Sequence, residues 1–275
     1  MTMFDGHLPH MDTEDGAGVR LTRILGTAKC DHLDPFLLFD QFRSDDPDQY
    51  IRGFPPHPHR GFETVTYMLE GHMRHRDSVG NEGHLGPGDV QWMTAGKGIV
   101  HSEMPEMENG LMWGYQLWVN LPAAQKMVEP RYQDIPAAQI PELAQSGRRV
   151  RVIAGHYKDI EGAGQTRTPV LYLDVILASG VGFDHSLPAT HQGFLHMVQG
   201  QVFSGDAMVA AAGTGSTPVL GSGATLGLRA GEAGARFLLI AGEPIGEPIA
   251  RHGPFVMNTR AELVQAFDDY QSGLF

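Results

Sequence analysis

Two short motifs, His57-Pro58-His59 and His101-Ser102-Glu103, constrain what this chain can fold into more than anything else in it. In extended backbone successive side chains point to opposite faces, so His57 and His59 project to one side, and so do His101 and Glu103. On facing strands the two pairs would bring three imidazoles and a carboxylate to one point. Borderline nitrogen donors with one hard oxygen suit a divalent first-row metal and leave positions open for water, substrate or dioxygen. With fourteen histidines in 275 residues, a lone His-X-His pair would say little. The ordered set carries the reading: HxH, a carboxylate at Glu63, a strand ending at Gly71, the turn Gly86-Pro87-Gly88-Asp89, then HxE.

Facing strands need turns, and the chain supplies them with 35 Gly and 18 Pro, a composition that favours many short strands over long helices. Its length is comfortable for two domains, and 41% apolar content can fill their cores. A net charge of −12 argues against a phosphate-binding surface and hence against direct nucleic-acid binding. The basic run Arg148-Arg149-Val150-Arg151 reads as a solvated strand edge. The opening MTMFDGHLPHMD lacks the basic start and apolar core of a signal peptide, and no run of about 18 apolar residues predicts a membrane span. Cys30, the only cysteine, cannot form an internal disulfide, which fits a reducing, cytoplasmic setting.

The segments HPHRGFETVTYMLEG, GDVQWMTAGKGIVHSE and QLWVNLP, with the opening LDPFLLFDQF and the closing GPFVMNTRAEL, resemble the pirin family of the cupin superfamily over nearly the whole chain. The resemblance implies an all-β protein of two cupin barrels, each a double-stranded β-helix or jelly-roll, with one metal in the N-terminal barrel. Read along the chain, that barrel is expected at 1–135 and a barrel without metal ligands at 136–241. A tail at 242–275, with a short helix, reaches back to the first barrel. Members are reported as quercetin 2,3-dioxygenases or as regulatory binding proteins, so fold is implied more firmly than function. The expected ligands are His57, His59, His101 and Glu103, around Fe(II) first and Mn, Co, Ni, Cu or Zn otherwise. Two barrels in one chain can supply the packing that single-barrel cupins obtain by dimerising, so a monomer is expected.

Along the chain, Val19–Leu25 and Phe36–Phe42 read as strands, and His7, His10 and His32 as exposed loop residues. His72, Arg74 and Arg76 alternate with Met73, His75 and Asp77 in an outward polar pattern. Past His101, Trp113, Tyr115, Leu117 and Val119 share one strand face and Gln116 and Trp118 the other, one of which lines the barrel interior. Leu121 to Gly147 reads as the inter-barrel connection, with a short helix at Pro122–Met127 and one strand at Tyr132–Ile135. A weak internal repeat aligns Tyr67-Met68-Leu69-Glu70-Gly71 with His196-Met197-Val198-Gln199-Gly200. By the same intervals, the places of His57, His59 and Glu63 fall on Ser186, Pro188 and Gln192, so the second barrel has lost its ligands. Ala207 to Gly223, rich in Gly, Ala and Ser, reads as a flexible turn region. Thr259-Arg260-Ala261-Glu262 has capping-box form ahead of a helical stripe.

Both Glu103 and Glu63 are offered as the carboxylate ligand. The pirin pattern favours Glu103, which could ligate and also take a proton from a substrate hydroxyl, as a carboxylate within reach can. Three function classes follow. The first is a metal-dependent dioxygenase of quercetin 2,3-dioxygenase type, acting with O2 on a flavonol or similar enolic aromatic. The second is a redox-responsive regulatory protein with a protein partner and no turnover. The third is a storage barrel whose metal only stabilises the fold, which a full ligand set beside an apolar cavity disfavours.

Overall fold

The computed structural model describes residues 4–106 and 110–275. Strand dominates them, and among them the one α-helix is Arg260–Gln271. Among the described residues no helix is long and apolar enough to cross a membrane. Contacts divide the chain into two units: Asp12–Thr27, Asp34–Ala137 and Ile245–Phe275 form one, and Ala28–Leu33 and Ala138–Pro244, with the segment ending at Met11, form the other.

The first unit is built on two main sheets, with a two-stranded pair, Ala250–His252 and Phe255–Met257, in its last segment. A seven-stranded sheet runs in the order Arg131–Ile135, Val90–Thr94, Phe62–Glu70, Met112–Asn120, Phe36–Ser44, Val19–Leu25, Met11–Asp15, and a four-stranded sheet in the order Phe54–His59, Ile99–Pro105, Met73–Asp77, Glu82–Leu85. The strands of the smaller sheet alternate, with Gly83 and Leu85 buried between exposed Glu82 and His84, as expected of a sheet with one wet face. Met73 and Leu85 from this sheet pack with Val19, Leu21, Phe42, Met68 and Met112 from the larger one. Phe62–Glu70 is buried along almost its whole length, in keeping with its β-branched and aromatic content.

Ile245–Phe275 completes this unit. Val256 N–H donates to the Arg60 carbonyl (3.0 Å), and the Arg60 guanidinium donates to Asp269 (2.7 Å) under the ring of Phe275. Thr259 and Glu262 form the capping box, with Thr259 N–H donating to Glu262 Oε2 at 2.8 Å. Lys126 is 1% exposed and donates from Nζ to the Gly61 carbonyl (2.8 Å), Asn120 Oδ1 (2.6 Å) and the Val256 carbonyl (3.0 Å). One ammonium thus ties the end of the histidine strand to the tail.

The second unit is a nine-stranded sheet. Its long strand Thr225–Gly242 pairs with Val170–Leu177, Gly182–Ser186 and Gln192–Ser204 in turn, which curls the sheet around a core of residues such as Leu173, Phe183, Leu195 and Phe237. The curl needs close backbone approach: a Cβ on Gly200 (φ +70°) would strike the Gly234 carbonyl. Gly71, its partner in the repeat, is also left-handed (φ 84°). Each unit is built of antiparallel β-sheet, the architecture that the sequence resemblance implies.

Several expectations need correcting. The opening residues do not join the first barrel: Phe4–Pro9 pairs antiparallel with Ser216–Leu220, burying Leu8 and covering what would otherwise be an open sheet edge. Ala207–Gly223 contains strands Ala207–Ala211 and Ser216–Leu220, because pairing with Gln192–Ser204 overrides the weak strand propensity of its small residues. Pro122–Met127 contains only a 3-10 turn, Ala123–Gln125, and Glu142–Gln145 adds a second strand to the connection. His10 is half-buried, its Nε2 hydrogen-bonded to Thr217 Oγ1 at 2.9 Å.

Candidate metal centre

The histidines come together because Phe54–His59 and Ile99–Pro105 are antiparallel neighbours, with His101 directly opposite His57. Residues so placed have Cβ atoms about 5 Å apart, and His59 lies two positions along the same face as His57. The ligand atoms of His57, His59 and His101 lie within 4.8 Å of one another. Ring centroids are 4.6 Å apart for His57 and His59, 4.5 Å for His57 and His101, and 5.0 Å for His59 and His101.

His57 Nδ1 lies 2.8 Å from the Pro55 carbonyl, which can only accept, so the proton sits on Nδ1 and the Nε2 lone pair faces His59 Nε2 at 2.9 Å. Burial, with His57 adding to it, holds the His59 imidazolium pKa well below the usual range, and burial with His59, His57 and His75 does the same for His101. Both are therefore neutral at physiological pH, the form that ligates. His101 is 1% exposed and neither of its ring nitrogens has a hydrogen-bond partner. Native structures rarely leave such groups orphaned. Converging imidazoles with buried, unpartnered nitrogens fit a divalent metal held by His57, His59 and His101.

Neither carboxylate belongs to that cluster of ligand atoms. Glu103 shares the buried face of its strand with His101, but a register irregularity intervenes, and its oxygens accept from Thr66 Oγ1 (2.8 Å) and Gln116 Nε2 (2.9 Å). Glu63, fully buried, accepts from Thr94 Oγ1 at 2.6 Å.

His75 was missed by the sequence reading, which placed it in an outward polar run. It is 1% exposed, stands opposite Glu103, stacks on Tyr132 and lies 3.3 Å from Asp134 Oδ1. The signal was available: with period two, His75 shares the face of apolar Met73.

A cavity of about 570 Å³ opens beside the histidines. Leu38, Phe54 and Trp118 give it apolar walls, Arg251 brings positive charge, and Arg23 is ion-paired with Asp15 and Asp40. Of the two faces of Met112–Asn120, the one bearing Gln116 and Trp118 lines this space, while Tyr115, Leu117 and Val119 are fully buried core. Trp118 Nε1 donates to Gln116 Oε1 (3.3 Å), and Gln116 in turn donates to Glu103, so the cavity wall is wired to the carboxylate.

Residues 18–119 match the family model described as Pirin, and residues 172–275 that described as Pirin C-terminal cupin domain. A pirin-like protein of Caulobacter vibrioides is 51% identical over 96% of this chain and 95% of its own. Human pirin is 44% identical over 95% of this chain and 89% of its own. The crystal structure of quercetin 2,3-dioxygenase from Acinetobacter baumannii superposes with a TM-score of 0.90 at 36% identity, covering 100% of this chain and 98% of that one.

Proposed function

The chain belongs to the pirin family, and on that footing we propose that it is a metal-dependent dioxygenase of quercetin 2,3-dioxygenase type, cleaving a flavonol or similar enolic aromatic. The observation that carries the reading is a cluster of three histidines at the edge of an apolar, aromatic-walled cavity large enough for a flat organic molecule. The full-length likeness to the Acinetobacter enzyme supports it.

His57, His59 and His101 would hold the ion, with Fe(II) the first candidate and Glu103 the proposed fourth ligand. When bound, such a metal would supply Lewis acidity and bring an enolic substrate and dioxygen to one centre. The chain's own residues then have separable tasks. Leu38, Phe54 and Trp118 exclude water and orient the ring system. Arg251, stacked over Trp118 at 5.0 Å, favours an anionic enolate over its neutral form. Glu103 takes the substrate hydroxyl proton on Oε2, and Gln116 orients that oxygen by donating to it.

The test is dioxygen uptake and carbon monoxide release by Fe(II)-loaded protein given quercetin, with His101→Ala as control. Uptake that disappears in the variant supports the proposal. Stoichiometric metal without uptake moves the reading to a redox-responsive regulatory protein acting through a protein partner, as the pirin relatives allow.

A further inference from the structure

The second barrel has a cleft of its own, about 680 Å³, and the first barrel's chemistry does not account for it. Ser186 and Pro188, which stand in the repeat where His57 and His59 stand in the first barrel, both line it. The barrel has therefore kept an open mouth at the position of the metal site while giving up the ligands, and among the described residues no metal-binding group forms there.

What replaced them is positive charge. Lys158 and Arg167 line the cleft against a single carboxylate, Glu161, on a chain whose net charge is −12. Among the described residues neither cation forms an ion pair, and the half-buried Arg167 carries a buried Nε without a hydrogen-bond partner. His185 adds a neutral imidazole, its pKa lowered by burial, whose buried Nε2 is likewise unpartnered. Lys158 is placed at some conformational cost: it is a non-glycine residue at φ 53°, in the turn between strands His156–Tyr157 and Ile160–Glu161. Val170 and Leu171 provide an apolar wall.

We propose that this cleft binds a small organic carboxylate with an apolar or aromatic body, its carboxylate between Arg167 and Lys158 and its body against Val170 and Leu171. A guanidinium matches a carboxylate in two parallel hydrogen bonds, the strongest such pairing available to a side chain. The volume and the apolar wall favour an organic anion over a bare inorganic one. The proposal does not depend on the dioxygenase reading, since it involves no metal and no turnover.

The test is calorimetric titration of the metal-free full-length protein with benzoate, run beside inorganic phosphate and benzyl alcohol. Benzoate should bind more tightly than either. Arg167→Gln and the exposed Lys158→Gln should each weaken it, the first by about tenfold, the loss of roughly one good charged hydrogen bond. His101→Ala should leave that binding unchanged, and circular dichroism on each variant separates lost binding from lost fold. Equal binding of phosphate, an Arg167→Gln variant that binds as wild type, or benzoate heat that vanishes in His101→Ala would each overturn the proposal.

Discussion

Replacing Lys126 by Met tests how the histidine strand is held. Three oxygens that the ammonium now satisfies, on Gly61, Asn120 and Val256, would lose their donor in a site 1% exposed. At about 2 kcal/mol for each buried unpaired acceptor, the loss is roughly 6 kcal/mol. Against this, burial pulls the Lys126 pKa from 10.5 down to about 8, with Glu247 and Glu262 resisting. At 1.36 kcal/mol per unit, the wild-type ion therefore carries a cost of roughly 3 kcal/mol that Met removes. The expected net loss at pH 7 is about 3 kcal/mol. The pH dependence is the sharper test. A folded pKa below the unfolded one means the unfolded chain binds more protons between pH 8 and 10.5, so the Lys126 contribution to stability rises with pH across that window. By pH 9.5 the wild type should have gained roughly 2 kcal/mol that Lys126→Met cannot gain. Urea unfolding of both proteins at pH 7 and 9.5 reads the difference. A gap that stays constant or narrows would refute the argument and show that the three oxygens compensate the ammonium fully.

Metal content should depend on Glu103 more than on Glu63: Glu103→Gln is expected to weaken metal binding by about 10–100-fold in competition with a chelator, and loss in Glu63→Gln alone would reassign the carboxylate. Because His59 and His101 resist protonation, bound metal should persist as pH falls to about 6.5, the ordinary imidazole value, and a release midpoint above it would contradict their burial. The same depressed values make the metal-free protein lose stability as pH falls below about 6.5, because imidazoles in the unfolded chain take up protons that the buried ones refuse; denaturant midpoints across that range check the sign. In Gly83→Ala the new methyl group would collide with the His75 imidazole and approach Asp134 Oδ2 to 2.7 Å. A loss of about 1–3 kcal/mol in chemical unfolding is expected, with unchanged stability excluding the placement of His75.

How much of this was legible depended on whether the relevant physics is local. The pairing of His57 with His59 follows from strand alternation alone, and the helix start at Thr259 from its capping box, so both could be read directly. That His101 faces His57 depends on which strands become neighbours, and there the order of motifs and the family resemblance stood in for geometry. The partners of Glu103 could not be read, since Thr66 and Gln116 reach it from strands distant in sequence. Composition misled at Ala207–Gly223, where Gly and Ala suggested a turn and sheet pairing made strands. His75 was lost by following the run of charges at Arg74 and Arg76 instead of the face shared with Met73.

The barrel that gathers the histidines is assembled from the first half of the chain and from its last segment, Ile245–Phe275. On a ribosome these parts emerge far apart in time: Arg60, just beyond His59, must wait for Val256, Asp269 and Phe275. The histidine strand therefore stays without its final support while the intervening barrel is translated. A nascent or prematurely terminated chain would present imidazoles without a finished pocket around them. Competence to load metal would then mark a chain translated at least through Phe275, so a translation stop near Pro244 should yield a product that accumulates poorly and binds little metal, even with every ligand codon intact.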